Sequence, residues 1–247
     1  MNEILEGLIK AFQLIFSGDP RVVEITLRAL YVSGLAALLA ILWGIPIAMI
    51  LGLKKFRGQL LIKALFNALI GIPTVALGLI LFLLFSRSGP FGILGLLYTP
   101  TAIIIGEAVL VTPIIVSLAT TAIESIDPEI MNLAKTLGAS ESQASVAVLK
   151  EAASGLSLAS VASFNRAIAE LGVAAMVGGN IVGWTEVLTT GISIETQRGN
   201  IDLAIALGII LLTLVFGINL AMNMIFQRER KWKKLRKLET SQRLWTQ

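Results

Sequence analysis

The chain contains no cysteine and no histidine. The first absence excludes disulfide frameworks, thiol chemistry, iron–sulfur clusters and thiolate metal sites. The second removes Ser-His catalysis, histidine haem ligation and the common zinc sites. Charge is scarce as well: Asp, Glu, Lys and Arg make up 15% of the 247 residues, against about 25% in a soluble domain. Hydrophobic residues fill 55% of the chain and mean hydropathy is +0.84. They arrive in blocks of about 20 or more, the length that crosses a bilayer. These features indicate an all-α integral membrane protein.

Five blocks emerge, at about 26–53, 60–85, 101–123, 156–177 and 201–226. The first exceeds the roughly 20 residues that cross a ~30 Å hydrocarbon layer, so it must tilt or kink. Ahead of it, Ile4 to Phe16 is too short to cross. Glu3, Glu6, Lys10 and Gln13 give it one wet stripe, the pattern of an interfacial amphipathic helix within residues 1–20. Asp19-Pro20 then supplies an N-cap and a first-turn proline. The start, Met1-Asn2-Glu3, lacks a basic leader and a small-residue cleavage site, so no signal peptide is expected. Residues 21–226 read as the membrane domain. It is interrupted by a polar connection at 124–155 and by a polar, glycine-rich stretch at 178–200.

The net charge of +4 gathers in a tail at 227–247, with Arg228, Arg230, Lys231, Lys233, Lys234, Arg236 and Lys237. Directly after an apolar block, such a cluster reads as an anchor facing anionic lipid rather than a nucleic-acid surface. With five spans, fourteen Lys/Arg fall on the side of this tail and five on the other. That asymmetry predicts an outside N-terminus and a cytoplasmic C-terminus.

The 124–155 connection is the most informative. Asp127-Pro128-Glu129 is a helix start, and Gly138 is placed to end that helix in the left-handed conformation. Ser140 with Gln143 forms a capping box that begins a second helix. The first helix presents Met131, Leu133, Ala134 and Leu137, with Ala139 just past the glycine. Two readings fit: a ridge that docks into a groove of another protein, or a plain amphipathic connector on the membrane.

The stretch Asn132-Leu133-Ala134-Lys135-Thr136-Leu137-Gly138-Ala139-Ser140, with Val148 ten residues after the glycine, resembles the EAA loop of ABC importer permeases. It departs from that family's pattern in Asn132, where glutamate is usual, and in Lys150-Glu151, where Leu-Pro is usual. Phe164 to Gly172, Met176 to Asn180, Val187 to Thr190 and Ile194 to Thr196 are similar to molybdate- and tungstate-type permeases, the tungstate branch above all. The similarity runs from about Ile4 to Asn223.

The resemblance implies a five-span type I ABC importer permease fold in a prokaryotic cell membrane. It implies a homodimer with one pore, the loop docking as a coupling helix onto cytoplasmic ABC ATPase subunits, and an extracytoplasmic oxyanion-binding protein. The cargo it implies is tungstate or molybdate. This chain would bind no cofactor, ATP and Mg being used by the partner. The residues agree on one point: no lysine follows a glycine, so no P-loop is present.

Other residues remain candidates. Pro46, Pro73 and Pro113 mark the first three blocks as places to bend, and Gly71-Ile72-Pro73-Thr74 is the best hinge. Arg166 and Glu170 are four apart, the spacing of an intrahelical ion pair. Glu107 is an acid within a span and lacks a sequence-near partner, so it bonds to polar groups on a neighbouring helix, sits protonated, or relays protons. Asn219 and Asn223 share a face that suits a helix interface or a gate. No unpaired basic cluster lies in the spans, so an oxyanion would meet a mostly neutral path of hydroxyls and amides. The 178–200 stretch reads as a pore cap or as a surface hairpin. Two rival functions use the same residues. An ion-coupled secondary transporter would employ Glu107 and the Arg166–Glu170 pair directly; a non-transporting membrane anchor would use only the loop.

Overall fold

The computed structural model describes the backbone of residues 2–245 and the side chains of residues 5–222 and 224. Asn223 and the basic side chains of the tail lie outside the described residues. Eleven helices follow in order among the described residues. They are α1 (Asn2–Ser17), α2 (Pro20–Leu53), α3 (Gln59–Leu69), α4 (Thr74–Phe85), α5 (Pro100–Glu124), α6 (Pro128–Thr136), α7 (Glu141–Glu151), α8 (Ala153–Ile168), α9 (Gly172–Gly178), α10 (Leu188–Gln197) and α11 (Ile201–Trp245). The chain up to residue 211 forms one compact unit, and the residues from Leu212 onward a second.

Among the described residues, three helices are long and apolar enough to cross a membrane: α2, α5 and the Ile201–Met222 part of α11. The number reaches five if each of two bent pairs is one span, α3 with α4 at 100° and α7 with α8 at 68°. Two of the apolar blocks are interrupted along the chain. The 60–85 block breaks at residues 70–73, where Pro73 has no N–H to continue the ladder. The 156–177 block breaks at 169–171, between α8 and α9.

The first unit is organised around α5, which packs along α2 and α8. Close approach depends on small side chains. On α2, Ala29, Ser33, Ala36, Ala40, Gly44 and Ala48 recur every three or four residues and are buried, the spacing that lets membrane helices meet backbone to backbone. A Cβ at Gly44 would stand 2.5 Å from Ile115, and one at Gly106 would stand 2.5 Å from Val173. In α1, Gly7 and Ala11 are buried while Leu5, Ile9, Phe12 and Phe16 are exposed, and Lys10 pairs with Asp202 at 3.8 Å. The Asp19 carboxylate caps α2, accepting from the Arg21 and Val22 N–H groups at 3.0 and 3.2 Å.

Candidate functional site

Local chemistry shapes the corner between α6 and α7. Asp127 accepts from the Glu129 N–H at 2.9 Å and Pro128 follows at the first helical position. α6 ends where Gly138 adopts φ +88°, a conformation that costs a side-chain-bearing residue about 1–2 kcal/mol. Ser140 and Gln143 then form the reciprocal capping box, at 2.9 and 3.3 Å. Leu133 and Leu137 are 62% and 80% exposed. Met131 and Ala134 are half-buried, with Met131 packed on the core beside Val148. The expected four-residue ridge is thus two outward leucines at i and i+4, while Met131 anchors α6 from its other face. Met131 and Lys135 also border a cavity of about 370 Å³ with Pro46, Met49 and Leu53 of α2. α6 packs on α7 across the turn that holds Gly138 and the half-buried Ala139.

A second group lies deep in the first unit. Glu107 on α5 is 1% exposed. The Ser33 hydroxyl of α2 donates to it, and Arg166 and Glu170 act on it electrostatically. Its Oε2 has no hydrogen-bond partner. Arg166 Nη1 donates to Glu170 Oε2 at 2.5 Å. Glu170 is not inside a helix: it sits in the break after α8. There its Oε1 accepts from the Val173 N–H at 3.0 Å, and its carbonyl accepts from the Thr189 hydroxyl at 2.6 Å. One carboxylate thereby neutralises Arg166 and caps α9, satisfying backbone groups that a broken span would otherwise leave bare. The two breaks also meet, since a Cβ at Gly172 would stand 2.6 Å from the Thr74 hydroxyl oxygen. Thr74, which opens α4 after Pro73, therefore belongs with Glu170.

Pro113 is buried inside α5. In the second unit, Asn219 donates to the Val215 carbonyl of its own helix at 2.7 Å.

Sequence reasoning missed an ion cluster at the start of α2. Arg21 binds Glu195 at 2.6 Å and Glu186 at 3.4 Å, and Arg198 adds a bond to Glu195 at 2.9 Å. Glu186 and Glu195 are 1% and 0% exposed, so the middle of the 178–200 stretch is buried, while residues 181–184 and 196–200 at its flanks are exposed. Burial pushes the Glu195 carboxyl up, but the Asn200 amide and the Arg21 and Arg198 guanidinium groups outweigh it and hold it below its usual value. The signal available was weak: two acids within ten residues of a polar loop and an arginine more than 160 positions earlier. Ser33 carried no signal beyond being one hydroxyl among apolar neighbours.

Comparison with known proteins draws these features together. Residues 44–231 match the family described as "Binding-protein-dependent transport system inner membrane component". The tungstate uptake system permease protein TupB of Peptoclostridium acidaminophilum is 38% identical over 219 residues, covering 89% of this chain and 96% of that one. The probable anion ABC transporter permease protein of Haloferax volcanii is 38% identical over 202 residues, 80% of this chain and 87% of its own. A chain of the MetNI methionine ABC transporter, solved in inward-facing conformations, shares the fold. Its TM-score is 0.68 at 21% identity, over 84% of this chain and 95% of that one.

Proposed function

This chain belongs to the family of binding-protein-dependent transport system inner membrane components, and on that ground we propose that it forms the translocation path for tungstate or molybdate. It is a multi-pass ABC importer permease with the type I fold, a transport subunit rather than an enzyme. The cargo reading rests on 38% identity across 89% of the chain to a tungstate uptake permease. An extracytoplasmic protein would bind and deliver the oxyanion. Two copies of this chain would enclose one pore, with the N-terminus outside and the C-terminus in the cytoplasm.

Coupling is carried by the α6–Gly138–α7 corner. Leu133 and Leu137 are large, apolar and exposed beside a glycine-capped helix end, the i, i+4 anchor pattern of a helix lying in a partner's groove. That partner is a separate ATPase, which uses ATP and Mg; this chain binds neither. ATP-driven closure of two ATPases draws the two α6 helices together. Because Met131 ties α6 to the core, the movement passes to the membrane helices as a rigid-body change between two states. The paired Arg166–Glu170 exerts little net pull on an anion and serves to hold the two breaks in place.

Elemental analysis of cells with and without the gene, grown in trace tungstate and molybdate with excess sulfate, tests this reading. Loss of cellular tungsten or molybdenum on deletion, restored by the wild-type gene, is the expected result. Unchanged content of both metals would overturn the cargo.

A further inference from the structure

Between α3 and α5 lies a cavity of about 100 Å³. Its polar lining comes from Lys63 and Asn67 on α3 and from Ser117, Thr120, Thr121 and Glu124 on α5. Lys63 and Asn67 are one turn apart, and the four α5 positions fall within about 100° of that helix. Two polar stripes therefore face each other. α5 is apolar enough to cross a membrane, and exposed amides and hydroxyls on such a helix are costly against hydrocarbon.

Their hydrogen bonding leaves donors free. Thr121 donates to the Ser117 carbonyl at 3.1 Å, and Ser117 donates to the Asn67 amide oxygen. That bond leaves the Asn67 amide nitrogen to donate elsewhere. Thr120 borders the cavity; it is 4% exposed, and its hydroxyl oxygen is buried behind that wall with no hydrogen-bond partner. Lys63 is paired with Glu124. A water-sized centre occupies about 10–15 Å³, so the space suits a four-oxygen tetrahedron with a few waters.

We propose that this cavity is a transient site for a tetrahedral oxyanion, an inference that rests on the importer reading above. A turn about the Thr120 side chain brings its unpartnered hydroxyl to the cavity, where it and the Asn67 amide donate to the anion, and Lys63 turns from Glu124 to meet it. A lysine with no competitor would trap a doubly charged ion, whereas a site that conducts must also release. Glu124 supplies the competitor. It is also the last residue of α5, three positions before the Asp127 cap of α6, so movement of the coupling helix reaches the Lys63–Glu124 pair directly.

Equilibrium dialysis of radiolabelled tungstate against the purified permease–ATPase complex, without its binding protein, tests the site. Thr120→Val should weaken binding about tenfold, the worth of one hydrogen bond to a charged group, and Thr120→Ser should restore it. Glu124→Gln, which frees Lys63, should tighten binding about tenfold. Equal binding by all four proteins, or no binding by a wild type that imports tungstate normally, would overturn the site and leave the importer function standing. A wild type that imports neither oxyanion would overturn the functional reading, and this inference with it.

Discussion

At the α6–α7 corner every shaping bond is local: Asp127 to Glu129, Ser140 to Gln143, and a left-handed Gly138 between them. Around Glu107 local bonds are joined to others that cross between helices far apart in sequence. Ser33 reaches it from α2, and Glu170 binds Arg166, the start of α9 and the Thr189 hydroxyl at once. The first region keeps its shape through its own sequence and so can be pushed as a unit. The second keeps its shape only while several helices stay in place, so it behaves as the frame against which the first moves.

Substitutions sharpen this contrast when stability and transport are measured side by side. The largest loss of stability is expected for Gly106→Val. Its Cβ alone would lie 2.5 Å from Val173, and overpacking of this kind costs about 3 kcal/mol. The assay is the melting temperature of the detergent-solubilised protein, together with its yield in membranes. Glu170→Ala comes next, at about 2 kcal/mol, because it removes a helix cap and strands Arg166. A melting temperature equal to wild type would show that the breaks stand without Glu170.

Glu195→Gln has a pH signature. The folded carboxyl titrates below its ordinary value of 4.5, so its contribution to stability is present above that pH and lost as pH falls through the lower folded value. The difference in melting temperature between wild type and variant should be largest near neutrality and vanish in acid. A constant difference across that range would remove the Arg21 cluster from the account.

Gly138→Val should cost only about 1–2 kcal/mol, since open space surrounds the glycine and the penalty is backbone conformation alone. It should nevertheless abolish tungstate uptake with membrane insertion intact, while Gly138→Asn, tolerant of positive φ, keeps part of it. Wild-type uptake by Gly138→Val would break the comparison, because the corner would then not need its shape. The smallest stability effect, under about 0.5 kcal/mol, is expected for Leu137→Asp, an exposed position. Uptake should still be lost.

The same division explains what was readable in the sequence. Caps, the glycine stop and the proline at a break act over four residues or fewer, so Asp127, Gly138, Ser140 and Pro73 announced themselves. The break after α8 did not, because hydropathy stays high from Leu156 to Val177 and the interruption is secured by Glu170 bonding forward into α9. Glu107 was visible as an oddity, but its Ser33 partner lies 74 positions earlier. Met131 was read as part of the outward ridge because periodicity places residues on faces without telling which face another helix covers. The close α2–α5 approach was written in the Ala, Ser and Gly spacing of α2, a pattern of small residues that hydropathy does not weigh.

The distance between Arg21 and its acids has a consequence in time. Glu186 follows Arg21 by 165 residues, and a ribosome adds roughly 5–20 residues per second. For about ten to thirty seconds of synthesis, the head of α2 therefore carries a guanidinium with neither of these counterions. Until Glu186 and Glu195 are made, that charge has only water and lipid headgroups as partners. The cluster that ties the head of α2 to the 178–200 stretch therefore closes only after about three quarters of the chain has been made.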